Sequence, residues 1–196
     1  MDFSKDENAK VRREAHAALS ELDAEEGGIH LVPYASEEEH LGVVSQLIEK
    51  DLSEPYSVFT YRCFINNWPD LTFLAVAGEE VVGTVVGRLE AVKGILRGYI
   101  AMLAVDHQWR RRGIGSRLVR RVISQMALHG AHEVTLEAET TNVKALKLYS
   151  RLGFAKESRM RRYYMHGGDA FSLILRLDPE TDHHQHSDSD QQPDHQ

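Results

Sequence analysis

Leu118, Val119, Val122, Ile123 and Met126 fall on one side of a helix drawn over Ile114–Leu128, the clearest amphipathic stretch in the chain. The same periodicity, carried by Leu41, Val44, Leu47 and Ile48, predicts a helix over Glu37–Leu52 with an acidic first turn. Ser53-Glu54-Pro55 breaks it, and a second helix is expected from Tyr56 to Asn67, before Trp68-Pro69. Ile29–Tyr34 reads as a short strand. Three β-rich runs follow the helices, Thr72–Ala77, Val81–Glu90 and Gly98–Val105, the first two joined by the turn Gly78-Glu79-Glu80. Beyond the amphipathic helix come a strand at Glu133–Glu139, a helix at Asn142–Leu152, a strand beginning Phe154–Glu157 and a last strand at Ala170–Leu177. The order β-α-α-β-β-β-α-β-α-β-β describes a mixed sheet covered by helices, of α+β or α/β three-layer class.

The pattern fails at both ends. Residues 1–28 are charged, Ala-rich and end in Gly27-Gly28, which reads as a mobile or partly helical arm. Residues 178–196 form an acidic, His-rich tail expected to be disordered; the stretch DHHQHSDSDQQPDHQ holds no apolar side chain. Nothing there would order His183, His184, His186 and His195 around a metal, so no metal site is expected. The folded body is therefore taken as residues 29–177.

Composition changes this picture in one respect. The 196 residues carry a formal net charge of −7, yet 1–39 hold 4 Lys/Arg against 11 Asp/Glu, and 178–196 hold 6 Asp/Glu and no Lys/Arg. Residues 40–177, with 19 basic and 13 acidic side chains, are net basic. At 42% hydrophobic and 27% charged the chain reads as one ordinary soluble domain. No apolar run reaches membrane-spanning length, and the first residues lack the apolar stretch of a secretory leader and are too acidic for a transit peptide. The cytoplasm is the expected compartment. The single Cys63 excludes an internal disulfide and reads as a small buried thiol on a helix.

Positive charge concentrates in RRRGIGSRLV, residues 110–119, at the mouth of the amphipathic helix. A helix N-terminus offers unpaired N–H groups and partial positive charge, Gly113 and Gly115 let an anion approach the backbone, and arginines add forked donors. The residues alone leave the anion open. A Walker loop needs Gly-Lys-Ser/Thr, which is absent, and a dinucleotide fingerprint needs a third glycine where Leu118 stands. The seven arginines between 97 and 121 could serve a nucleic acid, but few aromatics interleave them and no nucleic-acid module surrounds them. An ordinary glycine turn with solvated arginines is the plain alternative.

Arg110-x-x-Gly113-x-Gly115 after an apolar strand resembles the acetyl-CoA pyrophosphate loop of the GNAT acetyltransferases. Downstream, LEAETTNVKALKLYSRLGF resembles the second signature of that superfamily. DLSEPYSVFTYRCFINNWPDLTFLAV, RGYIAMLAVD and RMRRYYMHGGDAFSLILRL are similar to one branch, the catalytic subunits of the N-terminal acetyltransferase NatC. The resemblance covers roughly residues 46–177 and implies the GNAT fold. It also implies acetyl transfer from acetyl-CoA to the α-amine of nascent proteins that begin with Met and a bulky apolar residue. Auxiliary subunits and the ribosome are the implied partners, with no membrane and no direct nucleic-acid recognition.

The same resemblance distributes roles. Alternation places Thr135, Glu137 and Glu139 on one face of their strand, which by itself suits a solvated face; the resemblance makes Glu137 the base, acting through water. Tyr149, otherwise a packed aromatic, becomes the donor to the departing CoA sulfur. Asn142 suits a helix cap and, by resemblance, also touches CoA. The backbone of Met102, Leu103, Ala104 and Val105 is expected to bind the pantetheine arm and the thioester carbonyl. Arg110, Arg111, Arg112, Gly113, Ile114, Gly115 and Ser116 are expected around the pyrophosphate. Leu52, Glu54 and Tyr56, with Tyr163 and Tyr164, are expected to wall the substrate N-terminus, while Trp68 and Trp109 read as structural. The rival functions are a GNAT enzyme for lysine or small amines, and a catalytically silent acetyl-CoA-binding subunit.

Overall fold

The computed structural model describes residue 23 and residues 25–51 and 57–177. Its elements are β1 (Ile29–Pro33), α1 (Gly42–Asp51), α2 (Val58–Asn67), β2 (Thr72–Ala77), β3 (Glu80–Val92), β4 (Ile95–Val105), α3 (Ile114–Leu128), β5 (Glu133–Glu139), α4 (Val143–Arg151), β6 (Ala155–Met160) and β7 (Ala170–Arg176). The seven strands form one sheet in the order β1-β2-β3-β4-β5-β7-β6, with β4 and β5 parallel and every other pair antiparallel.

Alternation along the strands feeds two cores. Phe73, Val85, Ile100, Val134 and Leu136 pack with Ile114, Leu118, Val122 and Met126 of α3. Leu74, Val86, Met102 and Ala104 pack with Val44 and Ile48 of α1 and with Tyr61 and Ile65 of α2. The result is three layers, as the element order implies. α3 lies close to the sheet because Gly87 and Gly98 sit beneath Met126, where a Cβ on either would come within 2.5 Å of the methionine side chain.

Two departures from regularity make the site. Val86 pairs with Met102 but Gly87 pairs with Ile100, so Ala101 is an extra residue on β4. That bulge reverses the alternation: Ile100 faces α3, whereas Met102 and Ala104 face α1 and α2. Then β4 and β5 part. They pair only from Arg97–Tyr99 to Glu133–Thr135, although β4 runs on to Val105 and β5 to Glu139. β7 follows β5 along its whole length, so the gap opens on the β4 side alone.

Some expectations need correction. The first helix does not begin at Glu37: Glu37–Leu41 forms a wide π-type turn, with Glu39 N–H donating to the Ser36 hydroxyl at 3.2 Å, and α1 starts at Gly42. Cys63 is exposed, not buried, because the buried positions of α2 are Tyr61 and Ile65. Leu52, Glu54 and Tyr56 lie outside the described residues. So does most of the arm at 1–28; the part that is described bears on α3, where Asp23 accepts from Arg121 Nε at 2.7 Å and Glu26 stands 3.8 Å from Arg117 Nε. The tail at 178–196 is also outside.

Candidate active site

After β4, Asp106 caps a short turn by accepting from Gln108 N–H at 2.9 Å, and the chain reaches α3 through the three arginines. Arg111 has φ 64° and Gly113 φ 79°, both left-handed. Gly113 is the N-cap and supplies no side chain, so the amides of Ile114, Gly115 and Ser116 precede the first intrahelical bond, from Arg117 N–H to Gly113 O. These amides and the helix dipole make an anion cradle of the kind the sequence suggests. The three arginines divide. Arg112 lies over Trp109, 4.6 Å from the ring centre. Arg110 turns back, donating from Nε to Val105 O at 3.0 Å and pairing with Asp51. Arg111 is exposed.

The end of β4 shows which backbone groups face the gap. Asp106 N–H donates to Val82 O, so by alternation Ala104 and Met102 also bond towards β3. Leu103 and Val105 therefore turn their N–H and C=O groups away from β3, into the opening. This narrows the expectation for Met102–Val105, since two of the four are engaged within the sheet.

On the α1/α2 side of the gap stands a row of polar groups. At its root Glu133, 5% exposed, accepts from Arg97 Nε at 2.6 Å. Farther along β5, Glu137 Oε2 accepts from the Tyr99 hydroxyl at 2.6 Å. The Arg88 guanidinium lies 4.6 Å from the Tyr99 ring centre and 5.6 Å from that of Phe64, and pairs with Glu90 at 2.9 Å. Tyr99 and Arg88 escape the sequence reading. Tyr99 pairs with Thr135, two residues before Glu137, but that register joins strands separated by a whole helix.

Tyr149 belongs to the other side. It is 6% exposed, within the core beneath α3, and edge-on to Phe154 with centroids 5.6 Å apart. Burial, with Tyr164 nearby, pushes its hydroxyl well above the ordinary phenol value of 10.0 and keeps it protonated. Asn142 caps α4 as expected, its Oδ1 accepting from Ala145 N–H at 3.1 Å.

Tyr163 and Tyr164 occupy the loop between β6 and β7, edge to face at 5.1 Å. Asp169 braces that loop, accepting from Arg162 N–H and Arg159 Nε, each at 2.8 Å, and these bonds hold its carboxyl below the usual carboxylate range. Tyr164 stacks on His166, which stands 3.8 Å from Glu139 at the end of β5. The splayed strands thus have an anion cradle at one end, a carboxylate bonded to a phenol on one face, and a buried phenol on the other.

Residues 15–154 match the family model described as the acetyltransferase (GNAT) family. The chain is 51% identical over 158 residues to N-alpha-acetyltransferase 30 of Mus musculus, covering 79% of this chain and 43% of that protein. It is 49% identical over 151 residues to N-alpha-acetyltransferase MAK3 of Arabidopsis thaliana, covering 77% of this chain and 79% of that one. The chain thus spans about half the length of the animal relatives it matches, from 42% to 55%. Among solved structures, the crystal structure of the NatC complex bound to Gag peptide and CoA contains a chain that superposes with TM-score 0.74 at 41% identity, over 76% of this chain and 99% of that one.

Proposed function

The chain belongs to the acetyltransferase (GNAT) family, and within it we propose that it moves acetyl from acetyl-CoA to the α-amine of proteins beginning with Met and a bulky apolar residue. The observation that carries this reading is the gap between β4 and β5, with Glu137 on one face and Tyr149 on the other. The N-alpha-acetyltransferase names of the relatives and the peptide and CoA of the NatC structure support it.

In this mechanism the amides at the start of α3 hold the pyrophosphate, and Leu103 N–H donates to the thioester carbonyl as its oxygen gains charge. The amine enters from the Glu137 side. A free α-amine has a pKa of about 8, so roughly a tenth is neutral at pH 7, against less than about 0.1% of a lysine side chain. Glu137, acting through water, takes the proton the amine loses as nitrogen bonds to the acetyl carbon. The C–S bond breaks, and the departing thiolate accepts a hydrogen bond from the Tyr149 hydroxyl.

Tyr163 and Tyr164 wall the peptide on this reading, together with Leu52, Glu54 and Tyr56, which lie outside the described residues. The partners are nascent N-termini, NatC-type auxiliary subunits and the ribosome, in the cytoplasm. Among the described residues no helix is long and apolar enough to cross a membrane.

The test is CoA release from acetyl-CoA with peptides beginning Met-Leu, Met-Ile and Met-Phe, against peptides beginning Ser or Ala and peptides presenting only a lysine side chain. Each is run with and without auxiliary subunits. Preference for the Met-apolar set supports the proposal. Activity on lysine alone makes this a lysine acetyltransferase, and no release from any peptide makes it a silent acetyl-CoA-binding subunit.

A further inference from the structure

Asp51 is the last residue of α1 and belongs to the layer opposite α3, yet its carboxylate reaches the approach to the anion cradle. One oxygen pairs with Arg110 Nη2; the other accepts from Val105 N–H at 3.4 Å. Arg110 closes the ring by donating from Nε to Val105 O at 3.0 Å. Three segments meet there: the end of α1, the end of β4, and the loop that leads to α3.

The ring has two consequences for the cradle. Val105, like Leu103, turns its backbone groups into the gap, and both groups of Val105 are taken up by Asp51 and Arg110. Leu103 is left to meet the ligand. The arginine fork is also spent on β4 and Asp51, immediately before Arg111 adopts φ 64°, a conformation that L residues rarely enter.

We infer that Asp51 is a positioning residue for acetyl-CoA binding: it holds Arg110 as a brace that sets the loop and the first amides of α3. The inference rests on the proposed acetyl-CoA reading. It inverts the simplest view of Arg110, in which the arginine contributes its charge to the pyrophosphate. In that view Asp51 competes for the guanidinium, and neutralising it tightens acetyl-CoA. As a brace, the same change loosens acetyl-CoA. Lysine separates the two roles again, because its ammonium keeps the charge but lacks the planar fork that spans Val105 O and the carboxylate.

Calorimetric titration of acetyl-CoA into the full chain and its variants decides the matter, with thermal melts to confirm folding. Asp51→Asn, which keeps the side-chain shape, weakens acetyl-CoA about three- to tenfold, and Arg110→Lys does so to a similar extent. The double variant is no weaker than the worse single one, since both remove the same ring. Steady-state assays show the loss in KM for acetyl-CoA, with peptide KM unchanged. Unchanged or tighter binding by Asp51→Asn overturns the inference, and so does Arg110→Lys at wild-type affinity. A wild-type chain that does not bind acetyl-CoA overturns the underlying reading instead.

Discussion

The Tyr99 hydroxyl donates to Glu137 Oε2 at 2.6 Å, at the point where β4 and β5 stop pairing. One carboxylate oxygen is thereby fixed and the other is left to accept a proton. Glu137→Gln keeps the shape but removes the proposed base. Turnover is expected to fall by about 10²- to 10⁴-fold, the usual span for general-base help, with acetyl-CoA affinity retained. Tyr99→Phe removes only the orienting bond and should cost about tenfold, in line with a hydrogen bond to a charged group. Adding Tyr99→Phe to Glu137→Gln should then cost little more, which single-turnover rates of the three variants would show.

One substitution separates the chemical role proposed for Tyr149 from its packing role. Phenylalanine keeps the edge contact with Phe154 and the buried ring, so the melting temperature should move by no more than about 2 °C. The proposed hydrogen bond to the departing thiolate is lost, and turnover should drop by about 10²-fold or more. Burial raises the phenol above 10.0, so kcat should show no descending alkaline limb from this group below pH 10. Linkage has a definite sign. The unfolded phenol ionises near 10 and the folded one later, so the contribution to stability is complete below pH 10 and declines as pH rises above it. Alkaline melts of wild type and Tyr149→Phe would differ only there.

Much of the fold is legible in the sequence because its signals are local. Ile114–Leu128, Thr72–Ala77 and Glu133–Glu139 appear in the structure at the expected boundaries, since amphipathic period and β-rich runs act within one element. The start of α1 is less legible: an apolar spacing of three to four suits the wide turn at Glu37–Leu41 nearly as well as an α-turn. The site divides along the same line. The Asn142 cap and the uncapped Gly113 turn involve near neighbours in sequence and can be read there. Tyr99 against Glu137, and Asp51 against Arg110, depend on strand register and on layers meeting, which no local pattern carries. The Ala101 bulge hides the face of Met102 for the same reason.

The hairpin loop that presents Tyr163 and Tyr164 is tied down by Asp169, which supports a prediction about acid. The Arg162 N–H, and then the Arg159 side chain, hold its carboxyl below the ordinary 3.8. A depressed carboxylate contributes stability above its unfolded value and loses it as pH falls through the folded one, so the loop should loosen below about pH 4. Asp169→Asn should bring that looseness to neutral pH. Peptide KM should rise about two- to fivefold while acetyl-CoA affinity stays constant, because the bonds of Asp169 to Arg159 and Arg162 lie within the β6–β7 hairpin. An equal loss for both substrates would place the loop's influence elsewhere.

Gly113 and Gly115 sit two residues apart yet should fail in different ways. Gly113 is left-handed at φ 79°, and a Cβ there would meet nothing within 4 Å, so its constraint is conformational rather than steric. Gly113→Ala should cost about 1 kcal/mol, and Gly113→Asn less, because asparagine enters this region more readily. Gly113→Val should be worst, shifting the first amides of α3 and lowering melting temperature and acetyl-CoA affinity together. Gly115 is already helical, and its Cβ would lie 3.6 Å from Leu148, an ordinary contact. Gly115→Ala should therefore leave the melting temperature unchanged or slightly raised. Its methyl also adds bulk beside the first amides of α3, where the proposed pyrophosphate contact needs the bare backbone. Loss of acetyl-CoA affinity without loss of stability would mark Gly115 as a contact surface; unchanged affinity would place the phosphates away from this turn.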